Sequence, residues 1–266
     1  MKQDRPSKLK SIQIETTNIC NANCSFCIHN SINKFGTMSD KLFLKILHEA
    51  RRIPSLVSVV PMMLGEPFCD PDIIKRLKLI NKILPEKEIV LFTNGSLLTP
   101  SKIKELKKIK DLTVNFSLNG LNKEMREKLM GLDDFDYVVK MINLYEKTGK
   151  PFKVLLVADP TVSTGELNKF KKLTWKTQLV KYGNWTGDKG RGTRQSQCVR
   201  AKAGMTIMYD GRVNLCCMEY GKVIFGDLNK QTIKEVWRSP YRQMYCKAHS
   251  AGKFLLGVCN NCNYAH

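Results

Sequence analysis

Short apolar runs alternate with helical stripes along most of the chain. Ser11 to Glu15 alternates with period two and reads as a strand, and Leu42, Leu44, Ile46 and Leu47 stripe a helix that starts at Ser39 and Asp40 and runs to about Arg52. The pattern continues with a strand over Leu56 to Leu64, a helix near Pro71 to Lys82, a strand over Ile89 to Phe92 and a helix over Ser101 to Lys108. Leu112 to Ser117 reads as a strand, Phe135 to Lys147 as a helix and Phe152 to Val157 as a strand. A weaker helix around Glu166 to Leu173 and a sixth strand, Thr177 to Lys181, complete the series. This alternation predicts a parallel α/β architecture. Six βα units in about 185 residues fall short of the roughly 250 that a closed eight-stranded barrel takes, so an open, partial (β/α)6 barrel is expected.

In parallel α/β folds ligands sit at the carboxyl ends of the strands, and the unusual residues of this chain collect there. Three cysteines, Cys20, Cys24 and Cys27, follow the first strand as C-x3-C-x2-C. Gly65, Glu66 and Pro67 follow the second, Thr93, Asn94 and Gly95 the third, and Ser117 to Gly120 the fourth. Each later group alone suits an ordinary turn, since glycine supplies positive φ and Asn or Pro starts a bend. Four in succession at one rim point to a site.

The cysteine spacing suits a cubane 4Fe–4S cluster, in which protein thiolates normally cap all four irons. Three ligands leave one iron for something other than protein. Zinc sites usually pair cysteines as C-x2-C and close with four ligands, and nothing argues for the oxidising compartment that disulfides need. The first ten residues are charged and lack an apolar signal region. No uninterrupted apolar stretch approaches 18 residues, so a membrane span is not expected, and a cytoplasmic location is.

With these motifs in view, the chain resembles the radical S-adenosylmethionine enzymes. The resemblance implies that Cys20, Cys24 and Cys27 hold the cluster, whose open iron takes the amino and carboxylate groups of S-adenosylmethionine. An electron from the cluster then cleaves the sulfonium to methionine and a 5'-deoxyadenosyl radical, which abstracts a substrate hydrogen. Phe26 matches the family's aromatic beside adenine. Gly65, Glu66 and Pro67 resemble its GGEP element, which receives the methionyl amino group, with Leu64 in place of the first glycine. Thr93 and Asn94 match a TNG turn, and Ser117 and Asn119 match a motif usually written SLDG, facing the ribose and methionyl parts of the cofactor. Asn119 replaces the aspartate, so an amide that both donates and accepts replaces a carboxylate. Met130 stands before Gly131 where the family commonly has arginine. The resemblance covers roughly residues 11 to 185.

The last 70 or so residues carry a second cysteine set: Cys198, twelve residues, Gly211, four residues, Cys216, then Cys259 and Cys262 as a terminal C-x2-C. Met205 to Tyr209 and Arg212 to Cys216 flank Asp210-Gly211, a type I' hairpin signal. Such a hairpin brings Cys198 and Cys216 towards one point, and four thiolates suit either a cluster or structural zinc. Beside the barrel pattern, the arrangement resembles the Twitch domain, a shortened SPASM domain. That resemblance implies one auxiliary 4Fe–4S cluster on Cys198, Cys216, Cys259 and Cys262, with Cys69, Cys217 and Cys246 spare. With four residues after Cys262 in this sequence, a ligand set for a second auxiliary cluster is not expected. The expected division is a basic segment over residues 1–10, the partial barrel over 11–185 and a hairpin-plus-helix cluster domain over 186–266. Gly226, Asp227 and the helix with Trp237 resemble the segment linking the halves of such domains. Asn184 to Gly187 resembles an NWGG-like stretch that lines the substrate side, and also reads as a turn with a buried Trp.

A fully capped auxiliary cluster suits electron transfer. Loss of a hydrogen atom from a carbinol carbon, then of a proton and an electron, gives a carbonyl. The pattern is similar to 2-deoxy-scyllo-inosamine dehydrogenases, and anaerobic sulfatase-maturing enzymes do related chemistry on a peptide side chain. The expectation is therefore an oxidoreductase acting on a small polar or anionic substrate, such as a sugar or cyclitol alcohol, or on a peptide, with an electron donor such as flavodoxin or ferredoxin. Epimerisation or crosslinking of a ribosomal peptide is the alternative; with the first strand beginning near residue 11 an N-terminal leader-binding domain is not expected, and a separate protein could supply one. A non-catalytic cluster scaffold fits poorly with an intact triad and GEP element. The net charge of +20 across 266 residues is mostly helix-face lysine. It suits a phosphate-bearing or acidic partner as well as plain solubility. No arginine-rich arm, zinc finger or aromatic-basic RNA motif points to nucleic acid.

Overall fold

The computed structural model describes residues 8–183, 198–254 and 257–262. The chain forms two compact units. One comprises Met1–Thr16, Gly36–Met63 and Gly183–His266, and the other Thr17–Phe35 and Leu64–Tyr182. Asn184, Trp185, Thr186 and Gly187 lie outside the described residues.

In chain order the elements are β1 (Ser11–Ile14), α1 (Asp40–Ala50), β2 (Ser58–Val60), α2 (Ile73–Ile83), β3 (Glu88–Thr93), α3 (Pro100–Lys107), β4 (Leu112–Ser117), α4 (Lys123–Met130), α5 (Phe135–Glu146), β5 (Phe152–Ala158), α6 (Thr164–Lys171) and β6 (Thr177–Lys181). They continue with α7 (Val199–Ala203), β7 (Gly204–Ile207), β8 (Arg212–Asn214), β9 (Ile224–Asp227), α8 (Ile233–Arg238), α9 (Pro240–Ser250) and α10 (Gly257–Asn260).

In the unit that includes the cysteine loop, β3, β4, β5 and β6 lie side by side and all pair in parallel. Ile89, Leu91, Val114 and Phe116 are fully buried on these strands. Phe116, Tyr145 and Phe152 meet edge to face with centroids 5.5 to 6.0 Å apart, a favoured aromatic geometry. In the other unit β1 pairs in parallel with both β2 and β7, and the antiparallel ladder β7, β8, β9 follows. Its helix α1 is capped by Ser39, whose Oγ accepts from Leu42 N. The parallel α/β class expected from the sequence is present. The sheet is open, because β6 bonds only to β5 and β9 only to β8.

Three details depart from the expected elements. β2 ends at Val60 because Pro61 has no N–H to donate to a ladder. Helix α4 was not foreseen, although its punctuation is plain: Asn122 Oδ1 accepts from Met125 N at 2.9 Å, and Gly131 ends the helix at φ +66°. The hairpin turn is not type I', which needs positive φ at both central residues. Only Gly211 has it, at +95°, with Gly211 N donating to Met208 O and Met208 N to Arg212 O. That is a longer loop closed by a glycine bulge.

Candidate functional site

The cysteine loop is held on α4 by its own backbone. Asn23 N donates to Met130 O at 2.9 Å, Ser25 N to Leu129 O at 3.0 Å, and Cys27 N turns back onto Cys24 O at 3.1 Å. Cys20, Cys24 and Cys27 are in no disulfide and each is half-buried, and Phe26 between them is half-buried too. Burial pushes the Cys20 thiol up to about 12, with the neighbouring charges of Glu66, Cys27 and Cys69 adding to the effect. Burial also raises Cys24, reinforced by Cys27 and Cys20 and opposed by Arg126. Three thiols whose charged forms repel one another suit a cationic centre that binds thiolate and displaces the protons.

Gly65 lets the next turn lie against this loop. A Cβ there would sit 2.4 Å from Thr17 O and 2.7 Å from Ile19 O, and Glu66 N donates to Ile19 O at 2.9 Å. Glu66 itself is 3% exposed. Its carboxylate accepts from Thr93 Oγ1 and Asn94 N, both at 2.7 Å, and from Phe68 N at 3.1 Å. Burial raises its pKa against the pull of those donors. Thr93 Oγ1 in turn accepts from Gly95 N, and Asn94 Nδ2 donates to Asn21 Oδ1 at 2.8 Å. Thus Glu66, Thr93 and Asn94 form one buried lattice that joins the turn after β3 to the cysteine loop. Pro67 opens the short helical turn Pro67–Cys69, anchored to α2 by the buried Asp70–Arg76 pair at 2.8 Å.

The fourth strand end is closed by Asn119. It sits at φ +46°, where Asn is tolerated, its N–H donates to Leu155 O at 3.1 Å, and its Oδ1 accepts from Val157 N at 2.9 Å. Ser117 is half-buried, and its carbonyl accepts from Arg126 Nη1 at 3.3 Å.

At this first site, Arg126 is a residue that the sequence pattern did not point to. Met130, which stands where the family places an arginine, is buried at the end of α4. Arg126 lies one turn earlier with no exposed surface, and its Nη1 reaches Met130 Sδ at 3.5 Å. Its guanidinium also donates to Asp134 Oδ1 at 2.6 Å, Leu118 O at 2.8 Å, Asn94 O at 2.9 Å and Ser96 Oγ at 3.2 Å. One rigid fork therefore ties the ends of β3 and β4 to α4 and places positive charge beside Cys24. The signal in the sequence was the α4 stripe: Met125, Arg126, Leu129 and Met130 share its buried face.

The second cysteine set converges as well. Cys198, Cys216, Cys259 and Cys262 line one small cavity with Ala201, Leu215, Glu219 and His249. Cys198 caps α7, Cys216 follows β8, and Cys259 lies in α10, with Cys262 N donating to Cys259 O at 3.3 Å. Burial raises the Cys216 thiol strongly, helped by Cys217 and Glu219. Glu219 accepts from Val223 N at 2.8 Å and Leu215 N at 3.0 Å, and burial pushes its carboxyl up to about 7. His249 Nε2 lies 3.3 Å from Cys259 Sγ. Neither Glu219 nor His249 was foreseen. Cys217 and Cys246 do not line the cavity: Arg200 Nη1 contacts Cys217 Sγ, and Cys246 Sγ donates to Ala201 O at 3.2 Å.

Among the described residues no three His, Cys, Asp or Glu side chains are grouped for a single metal ion. A set of four thiols around one buried space fits a cluster by donor chemistry. No described helix is long and apolar enough to cross a membrane.

Comparison with known proteins bears on both sites. The profile of the Radical SAM superfamily matches residues 14–174, and that of SPASM, an iron-sulfur cluster-binding domain, matches residues 198–263. The GTP 3',8-cyclase of Clostridium perfringens (strain SM101 / Type A) is 27% identical over 223 residues, 80% of this chain and 68% of its own length. The tungsten-containing aldehyde ferredoxin oxidoreductase cofactor-modifying protein of Pyrococcus furiosus is 32% identical over 114 residues, 42% of this chain and 32% of its own. For the cyclase of Clostridium perfringens strain 13 the chain spans 44% of the relative's length, less than two thirds. Among solved structures, BtrN in complex with AdoMet and 2-DOIA superposes with a TM-score of 0.66 at 14% identity, covering 98% of this chain and 95% of that one. Streptococcus suis SuiB bound to precursor peptide SuiA gives 0.73 at 18% identity, covering 97% and 71%. At such identities these structures are similar in fold alone.

Proposed function

The chain belongs to the Radical SAM superfamily and carries a SPASM iron-sulfur domain, and from that premise we propose that it is an oxidoreductase taking a hydrogen atom from a polar substrate, with an auxiliary cluster as electron acceptor. The substrate class is a sugar or cyclitol alcohol or a peptide side chain. When bound, the clusters and S-adenosylmethionine supply an electron, a hydrogen-abstracting adenosyl radical and a sink for the second electron.

Cys20, Cys24 and Cys27 hold the first cluster. Gly65 offers its backbone edge and Phe26 its ring to S-adenosylmethionine. Glu66, Thr93 and Asn94 act mainly by positioning, since their polar atoms are engaged with one another and with the cysteine loop. Pro67 sets the turn, while Ser117 and Asn119 close the rim at β4. Cys198, Cys216, Cys259 and Cys262 hold the auxiliary cluster, and their convergence on one buried cavity is the observation that carries the reading. With four thiolates available no coordination site remains for substrate, which suits electron transfer. A reduced cytoplasm keeps all seven thiols available, and a flavodoxin or ferredoxin is the expected electron donor.

Peptide maturation is the second reading, favoured by the likeness over 97% of this chain to SuiB, a structure solved with a precursor peptide. The experiment is anaerobic reconstitution with iron and sulfide. Iron should approach about eight per chain, by the stoichiometry of two 4Fe–4S centres, and reductant with S-adenosylmethionine should yield 5'-deoxyadenosine. Cys24→Ala should abolish that cleavage; Cys259→Ala should spare it while blocking net substrate oxidation. No 5'-deoxyadenosine from the fully loaded protein would leave a cluster scaffold. Turnover in the Cys259 variant would reject the acceptor role.

A further inference from the structure

A second cavity, of about 530 Å³, opens in the unit that holds the auxiliary cysteines, and no part of the proposed reaction uses it. Its walls are the segment before β1, the C-terminal end of α1 with the loop after it, and α8. Lys8, Arg52, Lys234 and Arg238 surround it, each exposed and none in an ion pair or hydrogen bond through its side chain among the described residues. Glu49 is the one carboxylate in the lining, and it is already engaged: Oε2 accepts from Ile233 N at 2.6 Å and Oε1 lies 3.6 Å from Lys45 Nζ. The nearby Glu235 carboxylate is held in the capping box at Thr232. Four cations therefore face the opening against the single lining carboxylate of Glu49, a net positive field that attracts an acidic partner.

The inner wall of the cavity leads towards the auxiliary cysteines. Trp237 lines the cavity and is 7% exposed. The Arg242 guanidinium stacks 3.1 Å from the centre of its ring, a cation–π contact in a buried setting. Arg242 Nη2 then donates to Ala201 O at 3.2 Å, and Ala201 lines the cavity of Cys198, Cys216, Cys259 and Cys262. From the basic mouth to the four thiols the route is packed protein: an indole, a guanidinium and one backbone carbonyl.

We infer that this basic cavity is the docking surface for an acidic one-electron carrier protein, which exchanges electrons with the auxiliary centre through Trp237, Arg242 and Ala201. The inference rests on the auxiliary-cluster reading above. In the proposed oxidation one electron per turnover reaches the auxiliary centre and must leave before the next. The docked carrier in its oxidised form gains one electron, the centre loses one, and no bond or proton is exchanged. Charge complementarity favours a carrier over a small phosphate ligand, because the cations ring an open mouth and the conducting contacts lie behind it.

The test uses the anaerobic protein with both clusters loaded and an acidic flavodoxin as the probe. Calorimetry should show association that weakens about tenfold or more between low and moderate salt, as steered encounters do. Arg52→Glu with Arg238→Glu should weaken it by about the same factor, and stopped-flow formation of flavin semiquinone from the reduced protein should slow in parallel. Lys8→Glu with Lys234→Glu provides an independent pair. Lys104→Glu with Lys147→Glu, an equal charge change on exposed positions of the other unit, should leave binding within about twofold. Wild-type binding by either basic-cavity pair would overturn the inference. So would equal weakening by the control pair, or tight inorganic pyrophosphate binding in the cavity without any flavodoxin association. Iron near four per chain would overturn the two-cluster reading and the electron route with it. Full iron without docking would overturn the docking surface alone.

Discussion

At the scale of single residues, charge burial decides which side chains matter. Glu219 sits against the auxiliary cysteines, and burial lifts its pKa from 4.5 to about 7. The folded state thus keeps a proton that the unfolded chain has released between those values. The resulting stabilisation is full below pH 4.5 and is lost as pH rises through 7. Relative to Glu219→Gln, which does not titrate, the wild-type protein should lose roughly 1–1.5 kcal/mol between pH 6 and 8, read by denaturant unfolding of both proteins in the iron-free, reduced form. A difference that grows with pH would contradict the shift. Arg126 presents the opposite case, a charge made tolerable by its fork of donors. Lysine keeps the charge but cannot reach Asp134, Leu118 and Asn94 at once. Arg126→Lys should therefore cost about 3–5 kcal/mol in a denaturant titration, and a change under 1 kcal/mol would show that the fork is dispensable.

Elements meet at the rim through close backbone approach, and here glycine is decisive. The turn at Gly65 lies so near the cysteine loop that an added methyl would meet the Thr17 carbonyl at 2.4 Å, and backbone cannot yield as a flexible side chain can. Gly65→Ala should lower iron incorporation at the first site by about half or more, measured by iron content and EPR in a Cys259→Ala background, where the auxiliary site lacks a ligand, against that background alone. Equal iron in the two proteins would remove the packing argument. Much of this was legible beforehand. The cysteine triad and the GEP, TNG and SLNG turns were visible as residue types in order, because turns and ligand spacings are local. Helix α4 escaped notice: its capping signals at Asn122 and Gly131 are as local as the others, but its weak apolar stripe includes an arginine that only the fold shows to be buried.

For the molecule as a whole, the cysteines of the second set draw together segments distant in the chain: the start of α7, the end of β8 and the region of α10. Ligand binding of that kind is folding free energy. Oxidative stripping of iron with a chelator should raise hydrogen exchange across residues 198–254 and 257–262, while β3, β4 and β5, built on parallel ladders and a buried aromatic cluster, should stay protected. Equal loss of protection in both regions would mean that the clusters stabilise the protein as a single cooperative body.

The sequence by itself determined the alternation of strands and helices, the open α/β class, and the two cysteine sets with their spacing. Period, capping and ligand spacing are all written within a few residues of one another. Tertiary structure alone decided what each polar group does. It committed Glu66, Thr93 and Asn94 to one another, put Arg126 where the position of Met130 had suggested a gap, and left Cys217 and Cys246 out of the lining that the other four thiols share. It also brought Lys8, Arg52, Lys234 and Arg238 around one opening. Burial and partnership are properties of neighbours in space, and deciding partners lie well outside any local window: Asn94 is 28 positions from Glu66 and 32 from Arg126.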